Sequence, residues 1–352
     1  MREKVHFINV LKVVCFGLIF YYHSIIEAQM RFIITASNTS LYMNSNSHIA
    51  TCAVALFFML SGMGLMLSMG RNDRIDLLAY YKKRVVRIMV PYWICTLIFF
   101  VVLFNCHLNE AVPKWMLIFN VIGMDGYLSM FGIGTMYMCV GEWFLGCLLI
   151  MYIFFPLFHR WMKRKPKLFM IIATVIYLFI SMLYFTGHSF FRTVDFTNVF
   201  IKMYEFILGM YLATVWKRIE KKHFLMAIIV VLLFWFLPFS VAIPDAVKIT
   251  LYALSVFVVF AYLESTFDRM PRLCRASDIC CKYSYETYLV HHGVILFVLN
   301  KLWPRNWFGT NVIAAIIAQI VLTMISGVIL YELSTFCIKL SKTIRKRRRA
   351  KK

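Results

Sequence analysis

Apolar segments long enough to cross a bilayer alternate with short polar or basic segments along nearly the whole chain. A membrane-spanning helix needs about 20 predominantly apolar residues. Segments that approach this length cover about residues 7–27, 49–69, 88–106, 141–158, 168–186, 199–216, 224–241, 247–263, 285–303 and 312–336. The pattern therefore predicts an all-α integral membrane protein with about ten transmembrane helices.

Basic residues cluster between or after these spans, in segments 71–87, 160–167, 217–222, 269–282 and 339–352. Cytoplasmic loops of membrane proteins are enriched in Lys and Arg. An even number of spans also returns the chain to the side on which it began. We therefore predict that both termini are cytoplasmic and that the polar segments 37–48 and 186–198 lie outside.

Composition agrees with this fold class, because the 352 residues are 62% hydrophobic and only 15% charged. A soluble domain is roughly 45–50% apolar and about 25% charged. We find no internal repeat and no soluble domain. The prediction is a transmembrane domain at 1–338 and a basic cytoplasmic tail at 339–352. The net charge of +22 lies in the loops and the tail, so membrane lipids are expected partners and nucleic acid is not.

The first span carries three polar side chains, Asn9, Lys12 and His23. On a helix, Lys12 and His23 lie about 20° apart and three turns along the same face, and Asn9 lies one turn below Lys12. An ionisable group at membrane depth costs at least about 2.5–3.5 kcal/mol. The stripe therefore indicates either a functional site or polar groups that fix helix packing.

A basic group precedes the third span, where Lys83, Arg84 and Arg87 can share one helical face. Guanidinium groups bind phosphate through two parallel hydrogen bonds, so a phosphate-bearing ligand is one interpretation. The alternative is an ordinary basic flank of a membrane helix. Pro91, just inside the span, predicts a bend or a restart of the helix.

Polar and aromatic side chains also lie at the ends of the fourth and ninth spans. Glu142 and Trp143 open the fourth span, near the predicted outer boundary, and Tyr288 and His291 are one turn apart in the ninth. We identify all four as candidate substrate-binding residues. The alternative is that these residues only lie at the membrane interface, with Trp143 in an aromatic belt.

Two further features concern packing within the membrane. Ser61 and Gly64, with Gly62 between them, form a small-residue stretch that allows close helix approach. Glu205 places a carboxylate inside the sixth span, which is unfavourable unless it has a partner.

No metal site is expected from the sequence. The chain has only 16 Asp and Glu residues, and none of them form a carboxylate cluster suited to a metal. Cys274, Cys280 and Cys281 do not have the spacing of zinc ligands. No phosphate-binding glycine loop and no hydrolase or metalloprotease signature is present.

Together the motifs resemble the bacterial membrane-bound acyltransferase 3 family, which includes O-acetyltransferases of surface polysaccharides. The resemblance implies about ten helices in the bacterial plasma membrane, an acyl-CoA donor and an acceptor hydroxyl on a carbohydrate outside the membrane. It rests on Ile8-Asn-Val-Leu-Lys12 followed by His23, Leu56-Phe-Phe-Met-Leu-Ser-Gly, Lys83-Arg-Val-Val-Arg87 with Pro91-Tyr92, Glu142-Trp-Phe-Leu and Tyr288-Leu-Val-His291.

The resemblance assigns the essential histidine to His23 and the basic element to Lys83 and Arg87. The chain departs from the family pattern, because many members have Asp at the position of Asn9 and Arg at those of Lys12 and Lys83. Lysine keeps the positive charge but loses the planar fork of arginine.

The working hypothesis is O-acyl transfer, most simply of acetyl, from CoA to a carbohydrate hydroxyl. His23 is the expected general base, and Lys12 and Asn9 complete the candidate catalytic group. Lys12 has three possible roles: contact with the oxyanion, contact with CoA, or a structural role. The sequence also leaves open whether the reaction passes through an acyl-histidine intermediate. The rival functions are a transporter or flippase of a lipid-linked glycan and an inactive scaffold. The sequence names neither the acceptor nor an oligomeric state.

Overall fold

The protein is described here by a computed structural model that covers residues 4–30, 49–70, 75–105, 114–134, 140–188, 194–236, 242–302 and 308–350. Within these ranges every regular element is helical. The predicted outer loop at 37–48 lies outside the described residues, so its position stays a prediction.

Thirteen α-helices account for most of the described residues. Short 3₁₀ segments lie at Asp195–Thr197 and Trp216–Arg218, and a π-helical turn lies at Val298–Leu302. The helices are α1 (His6–Met30), α2 (Ile49–Met69), α3 (Leu77–Asn105), α4 (Met116–Val121), α5 (Asp125–Ser129), α6 (Glu142–Arg164), α7 (Pro166–Phe185), α8 (Val199–Val215), α9 (Lys221–Phe236), α10 (Asp245–Tyr262), α11 (Glu264–Phe267), α12 (Pro271–Phe297) and α13 (Phe308–Ala350).

Eight of the described helices are long and apolar enough to cross a membrane. They correspond to the predicted spans one to six, eight and ten. The other two predicted spans are helical where the structure describes them. The described part of α9 covers 16 residues, and the first half of α12 carries Arg272, Arg275 and Asp278. The chain is therefore an all-α integral membrane protein, as its hydropathy pattern predicts.

Helix α3 continues without interruption through Pro91, so of the predicted bend or restart, the restart does not occur. Proline removes one backbone donor, and the surrounding turns still hold the helix, as is common in membrane helices. At the other end of the chain, α13 extends from Phe308 to Ala350. The basic segment that begins at residue 339 therefore prolongs the last helix.

The described residues form two compact units, one of Met1–Ile75 with Cys147–Cys281 and one of Asp76–Gly146 with Lys282–Lys352. Helices α6 and α12 contribute residues to both. The core of the first unit lies where α1, α2, α8 and α10 meet. Its buried side chains include Phe7, Leu11, Met59, Leu208 and Phe257.

Close packing of α2 against α8 depends on two glycines. A Cβ atom on Gly62 would lie 2.0 Å from the Phe206 carbonyl oxygen, and one on Gly209 would lie 1.9 Å from the Met59 carbonyl oxygen. Both distances are far below van der Waals contact, so each helix backbone occupies the space of the other's missing side chain. Gly62 makes the close approach predicted for this stretch, whereas a Cβ on Gly64 would meet nothing within 4 Å.

Gly62→Ala and Gly209→Ala are therefore expected to destabilise the protein by forcing α2 and α8 apart. Overpacking a close contact typically costs about 1–3 kcal/mol and sometimes more. Gly64→Ala is the matched control, because it adds the same methyl group on the same helix in open space and improves helix propensity. Thermal unfolding of the purified variants in detergent measures the difference. Equal melting temperatures for Gly62→Ala and Gly64→Ala would contradict the packing argument.

The second unit is organised around contacts of α3 and α13 with the end of α12. A Cβ on Gly293 would lie 2.4 Å from the Phe99 ring, and one on Gly327 would lie 2.4 Å from the Thr287 hydroxyl oxygen. The Tyr285 hydroxyl donates a hydrogen bond of 2.9 Å to the Ile88 carbonyl. These contacts hold the part of α12 that carries Tyr288 and His291.

The segment before α6 contains several glycines and has a broken backbone where the structure describes it. Over residues 114–134 it forms two short helices, α4 and α5, joined by turns. The indole N–H of Trp93 donates a 2.7 Å hydrogen bond to the Val121 carbonyl, which ties this segment to α3.

Candidate active site

The polar stripe of α1 lies on a continuous helix, so Asn9, Lys12 and His23 share a face as predicted. All three residues are half-buried. The His23 ring packs edge-on against Tyr22, with ring centroids 5.2 Å apart. The opposite side of α1 is closed by core residues such as Phe7 and Leu11, about 130° from the stripe at 100° per residue. Core packing therefore fixes the direction in which the stripe faces.

Two carboxylates of the first unit hold the beginning of α1. The Glu264 carboxylate accepts hydrogen bonds from the backbone N–H groups of His6 and Phe7, at 2.7 and 2.6 Å. These N–H groups lack partners within the helix, and a negative charge at a helix N-terminus is favourable. Glu264 therefore acts as a cap supplied from a distant part of the chain.

Asn9, predicted as a member of the catalytic group, directs its amide toward Asp278. The Asn9 side-chain amide donates a 2.8 Å hydrogen bond to Asp278, and the Lys4 ammonium pairs with the same carboxylate. The sequence analysis missed Asp278. Its only sequence signal is an acidic residue inside a basic loop of a chain poor in carboxylates. The contact gives Asn9 an anchoring role at the start of α1.

Asp278 makes the attachment of α1 dependent on pH. Partial burial acts to raise the pKa of Asp278, but the hydrogen bonds from Lys4 and Asn9 outweigh it and hold the pKa below its usual value. A lowered pKa in the folded state stabilises the protein above the unfolded-state pKa of about 3.9. That contribution is lost as the pH falls through the lowered value.

Asp278→Asn is therefore expected to lower the melting temperature at neutral pH, and the difference from wild type should shrink below about pH 4. Asn9→Ala should produce a smaller change with the same pH dependence, because it removes one of the two partners. Melting temperatures between pH 3 and 7 provide the measurement. A difference that stays constant over this range would show that the carboxylate charge is not what stabilises α1.

The basic group lies on α3 in the second unit, where Lys83 and Arg87 are exposed and Arg84 is half-buried. The Arg84 guanidinium carbon lies 5.5 Å from the centroid of the Tyr80 ring, within reach of a cation–π interaction. The charge of Arg87 also acts on the buried carboxyl of Glu286. Arg84 is thus held by an aromatic ring, whereas Lys83 and Arg87 present exposed cationic groups.

Glu142 and His291, which the sequence places 149 positions apart, come together in the second unit with His292. Glu142 Oε1 lies 2.9 Å from His292 Nε2 and 3.8 Å from His291 Nε2. The exposed fractions of the side chains are 15% for Glu142, 2% for His291 and 12% for His292. The rings of His291 and His292 are perpendicular, with centroids 4.7 Å apart. The three side chains form the carboxylate–histidine cluster.

The backbone at Glu142 is strained. Among the described residues, Glu142 is the one non-glycine residue with a positive φ, at 42°. A Cβ on Gly126 would lie 2.5 Å from the carbonyl carbon of Glu142, so the two backbones are in close contact. The Tyr288 hydroxyl donates a hydrogen bond to the Gly141 carbonyl. Strain of this kind costs about 1–3 kcal/mol and persists only where neighbouring contacts impose it.

Aromatic side chains line the same region. Tyr288 packs against Phe144 with ring centroids 5.4 Å apart, and Phe144 lies 6.4 Å from Trp143. The structure thus brings together all four candidate substrate-binding residues of the sequence analysis, with Trp143 joined through Phe144. His292 belongs to the same cluster, although it was not among the candidate residues predicted from the sequence.

A second buried polar network supports this region. Asn120 donates hydrogen bonds to the Tyr92 hydroxyl at 2.9 Å and to Asp125 at 3.0 Å, and all three side chains are buried. Asp125 directly precedes Gly126, so the network fixes the segment that contacts Glu142. The sequence analysis missed Asn120 and Asp125, because their partner Tyr92 lies on another helix.

Glu205, the carboxylate of the sixth span, has the partner that its position demands. The Lys202 ammonium lies 2.9 Å and 3.1 Å from the two Glu205 oxygens, and the Thr250 hydroxyl lies 3.4 Å from the carboxylate. Both charged side chains are buried. The ion pair lies within α8, and the hydrogen bond from Thr250 connects it to α10, so it is a structural ion pair of the first unit.

Fold and polar groups together define a multi-pass membrane protein with ionisable side chains in its predicted spans. A family model described as an acyltransferase domain, that of acyltransferase 3, matches residues 5–332 of the 352-residue chain. The chain therefore belongs to the acyltransferase 3 family and is a membrane acyltransferase. No curated protein and no solved structure matches it.

Proposed function

We propose that the protein transfers an acetyl group from acetyl-CoA to a hydroxyl of a carbohydrate, either outside the cytoplasm or linked to a lipid, in the bacterial plasma membrane. The observation that carries the proposal is the family match over almost the whole chain, which includes the helix bearing His23. The family defines acyl transfer as the reaction class. His23 supplies a base on a predicted membrane span.

In the proposed reaction His23 accepts the proton of the acceptor hydroxyl while its oxygen attacks the thioester carbonyl carbon. The C–O bond of the new ester forms, the C–S bond of the donor breaks, and the proton passes from His23 to the leaving CoA thiolate. General-base groups of this kind typically contribute 10²–10⁴-fold to the rate. Lys12, half-buried on the same face of α1, favours the negative charge of the donor or of the developing oxyanion.

Arg84 and Arg87, with Lys83, bind the CoA phosphates in this proposal. Charge-assisted hydrogen bonds from guanidinium to phosphate are among the stronger polar contacts in proteins. The exposure of Lys83 and Arg87 supports this role. Their position in a basic segment before a membrane span places them at the predicted cytoplasmic side, which is where CoA is found.

The region around Glu142 contacts the acceptor in this proposal. Sugars combine hydroxyl groups with apolar ring faces. The carboxylate of Glu142, the imidazole of His291 and the aromatic rings of Trp143 and Tyr288 match both features. The strained backbone of Glu142 supports a functional role for this carboxylate, because a purely structural residue would not need that conformation.

The direct test is transfer of label from acetyl-CoA by the purified protein in detergent or liposomes. We expect acetylated product with a glycan acceptor and slow CoA release without one. Mass spectrometry of surface glycans from cells with and without the protein identifies the acceptor. Glycan translocation without any acetyl transfer would favour a transporter and contradict the proposal.

A further inference from the structure

The carboxylate–histidine cluster of the second unit brings three metal-ligand atoms together. The oxygen of Glu142 and one ring nitrogen each of His291 and His292 all lie within 4.8 Å of one another. The separations from Glu142 Oε1 are 2.9 Å to His292 Nε2 and 3.8 Å to His291 Nε2. Ligand atoms of a tetrahedral zinc ion, each about 2.0–2.1 Å from the metal, lie about 3.3 Å apart. The two observed separations bracket that value.

The orientation of His291 adds a second, independent observation. Its Nδ1 atom lies within hydrogen-bonding distance of the Tyr288 carbonyl oxygen. A carbonyl can only accept, so Nδ1 donates this hydrogen bond, and in the neutral ring Nε2 presents a lone pair toward Glu142. Histidines that bind metals usually donate their other N–H to a carbonyl or carboxylate in this way. In the neutral ring this lone pair and the Glu142 oxygen, 3.8 Å away, are suited to share a bound cation.

The backbone also holds the carboxylate in place before any ion binds. Glu142 is kept at a positive φ by the contact with Gly126, while Tyr288 holds the preceding carbonyl. Such pre-organisation is expected of a ligand whose direction matters. A simple surface ion pair would not require it, because flexible side chains reach each other without backbone strain.

We propose that Glu142, His291 and His292 bind a divalent transition-metal ion of the zinc type. Two histidines and one glutamate are a known ligand set for zinc sites that keep a coordination position for water or substrate. The sequence predicted no metal site, because no local ligand pattern is present; the glutamate and the histidines lie on separate spans. In the proposed function, on which this last step alone rests, the remaining position takes an oxygen of the acceptor.

The test measures metal content, which does not depend on knowing the substrate. The full-length protein is purified without a polyhistidine tag, incubated with Zn²⁺, passed through gel filtration and analysed by plasma mass spectrometry. We expect about one zinc ion per chain for wild type. His292→Ala and Glu142→Gln should lower zinc affinity by at least about 100-fold, more than loss of a supporting group typically does.

His188→Ala is the matched control, because it removes an exposed histidine of the first unit and should leave the zinc content unchanged. Replacement by Co²⁺ should give visible absorption bands in wild type and not in Glu142→Gln.

If a cluster variant fails to fold, the wild-type protein still tests the proposal: chelation should lower its melting temperature and Zn²⁺ should restore it. Wild-type protein that retains no zinc and melts at the same temperature with and without chelator would overturn the proposal. Failure of acetyl transfer with zinc bound would instead count against the proposed function.

Discussion

His23→Gln is expected to abolish acetyl transfer, with turnover falling by about 10²–10⁴-fold. Glutamine keeps hydrogen-bonding capacity at nearly the same volume but cannot accept the hydroxyl proton. His23→Ala should be equally inactive. Both variants should keep expression, thermal stability and acetyl-CoA binding near wild type. The reason is that His23 is half-buried beside Tyr22 and is not among the residues of α1 that form the hydrophobic core.

The depth of His23 gives this prediction its mechanistic content. If the first span begins near Phe7, His23 lies 16 residues further on, about 24 Å into a hydrocarbon core of about 30 Å. It would then be nearer the outer side, where an external acceptor arrives. In the proposed reaction the donor would then have to extend from the predicted cytoplasmic side along the face that carries Lys12 and His23.

Two measurements separate an effect on the reaction from an effect on binding. Transfer of label from acetyl-CoA reports turnover, and calorimetry reports the affinity for the donor. His188→Gln is a suitable control, since it removes an exposed histidine with no part in the proposed reaction. Near-normal turnover of His23→Gln would make His23 structural, and the base would have to be sought elsewhere, with His291 next.

Arg87→Ala is expected to weaken acetyl-CoA binding by about 10- to 100-fold, because hydrogen bonds to charged groups contribute about 1.5–3 kcal/mol. Acceptor binding should change much less. Arg84→Ala should also weaken donor binding, and the affected contacts should lose strength as salt concentration rises.

Lys82→Ala offers a matched control for this prediction. Lys82 is exposed on the same helix and in the same basic segment, but it lies about 140° around the helix from Arg87. Calorimetric titration of acetyl-CoA into wild type and the three variants measures the effect. If Lys82→Ala and Arg87→Ala lowered affinity equally, the basic group would act only as the charged flank of a membrane helix.

Much of the fold follows from the sequence because the bilayer restricts the possibilities. Backbone polar groups in hydrocarbon must bond within their own segment, so a long apolar run has to be a helix. The second span, predicted at 49–69, is observed as Ile49–Met69. Helix α3 instead begins at Leu77, well before its predicted apolar start at 88, since charged turns continue a helix into water where hydropathy gives no signal.

The sequence also supplied the candidates for catalysis, since ionisable groups inside apolar spans are unfavourable without a partner or a function. Asn9, Lys12 and His23 share one face because helical periodicity requires it. The family match adds the reaction class. Each of these inferences depends only on residues within one helix or on the order of motifs along the chain.

Only the tertiary structure determined which side chains contact one another. Asn9 meets Asp278 across 269 positions of sequence, and Glu142 meets His292 across 150. No local pattern encodes these contacts, because they result from how apolar faces and glycine gaps pack the helices. Packing also determines that Gly62, and not Gly64, lies at the close contact between α2 and α8. Packing likewise imposes the positive φ of Glu142. The sequence thus determined the helices and their reactive groups, whereas packing determined which of those groups face one another.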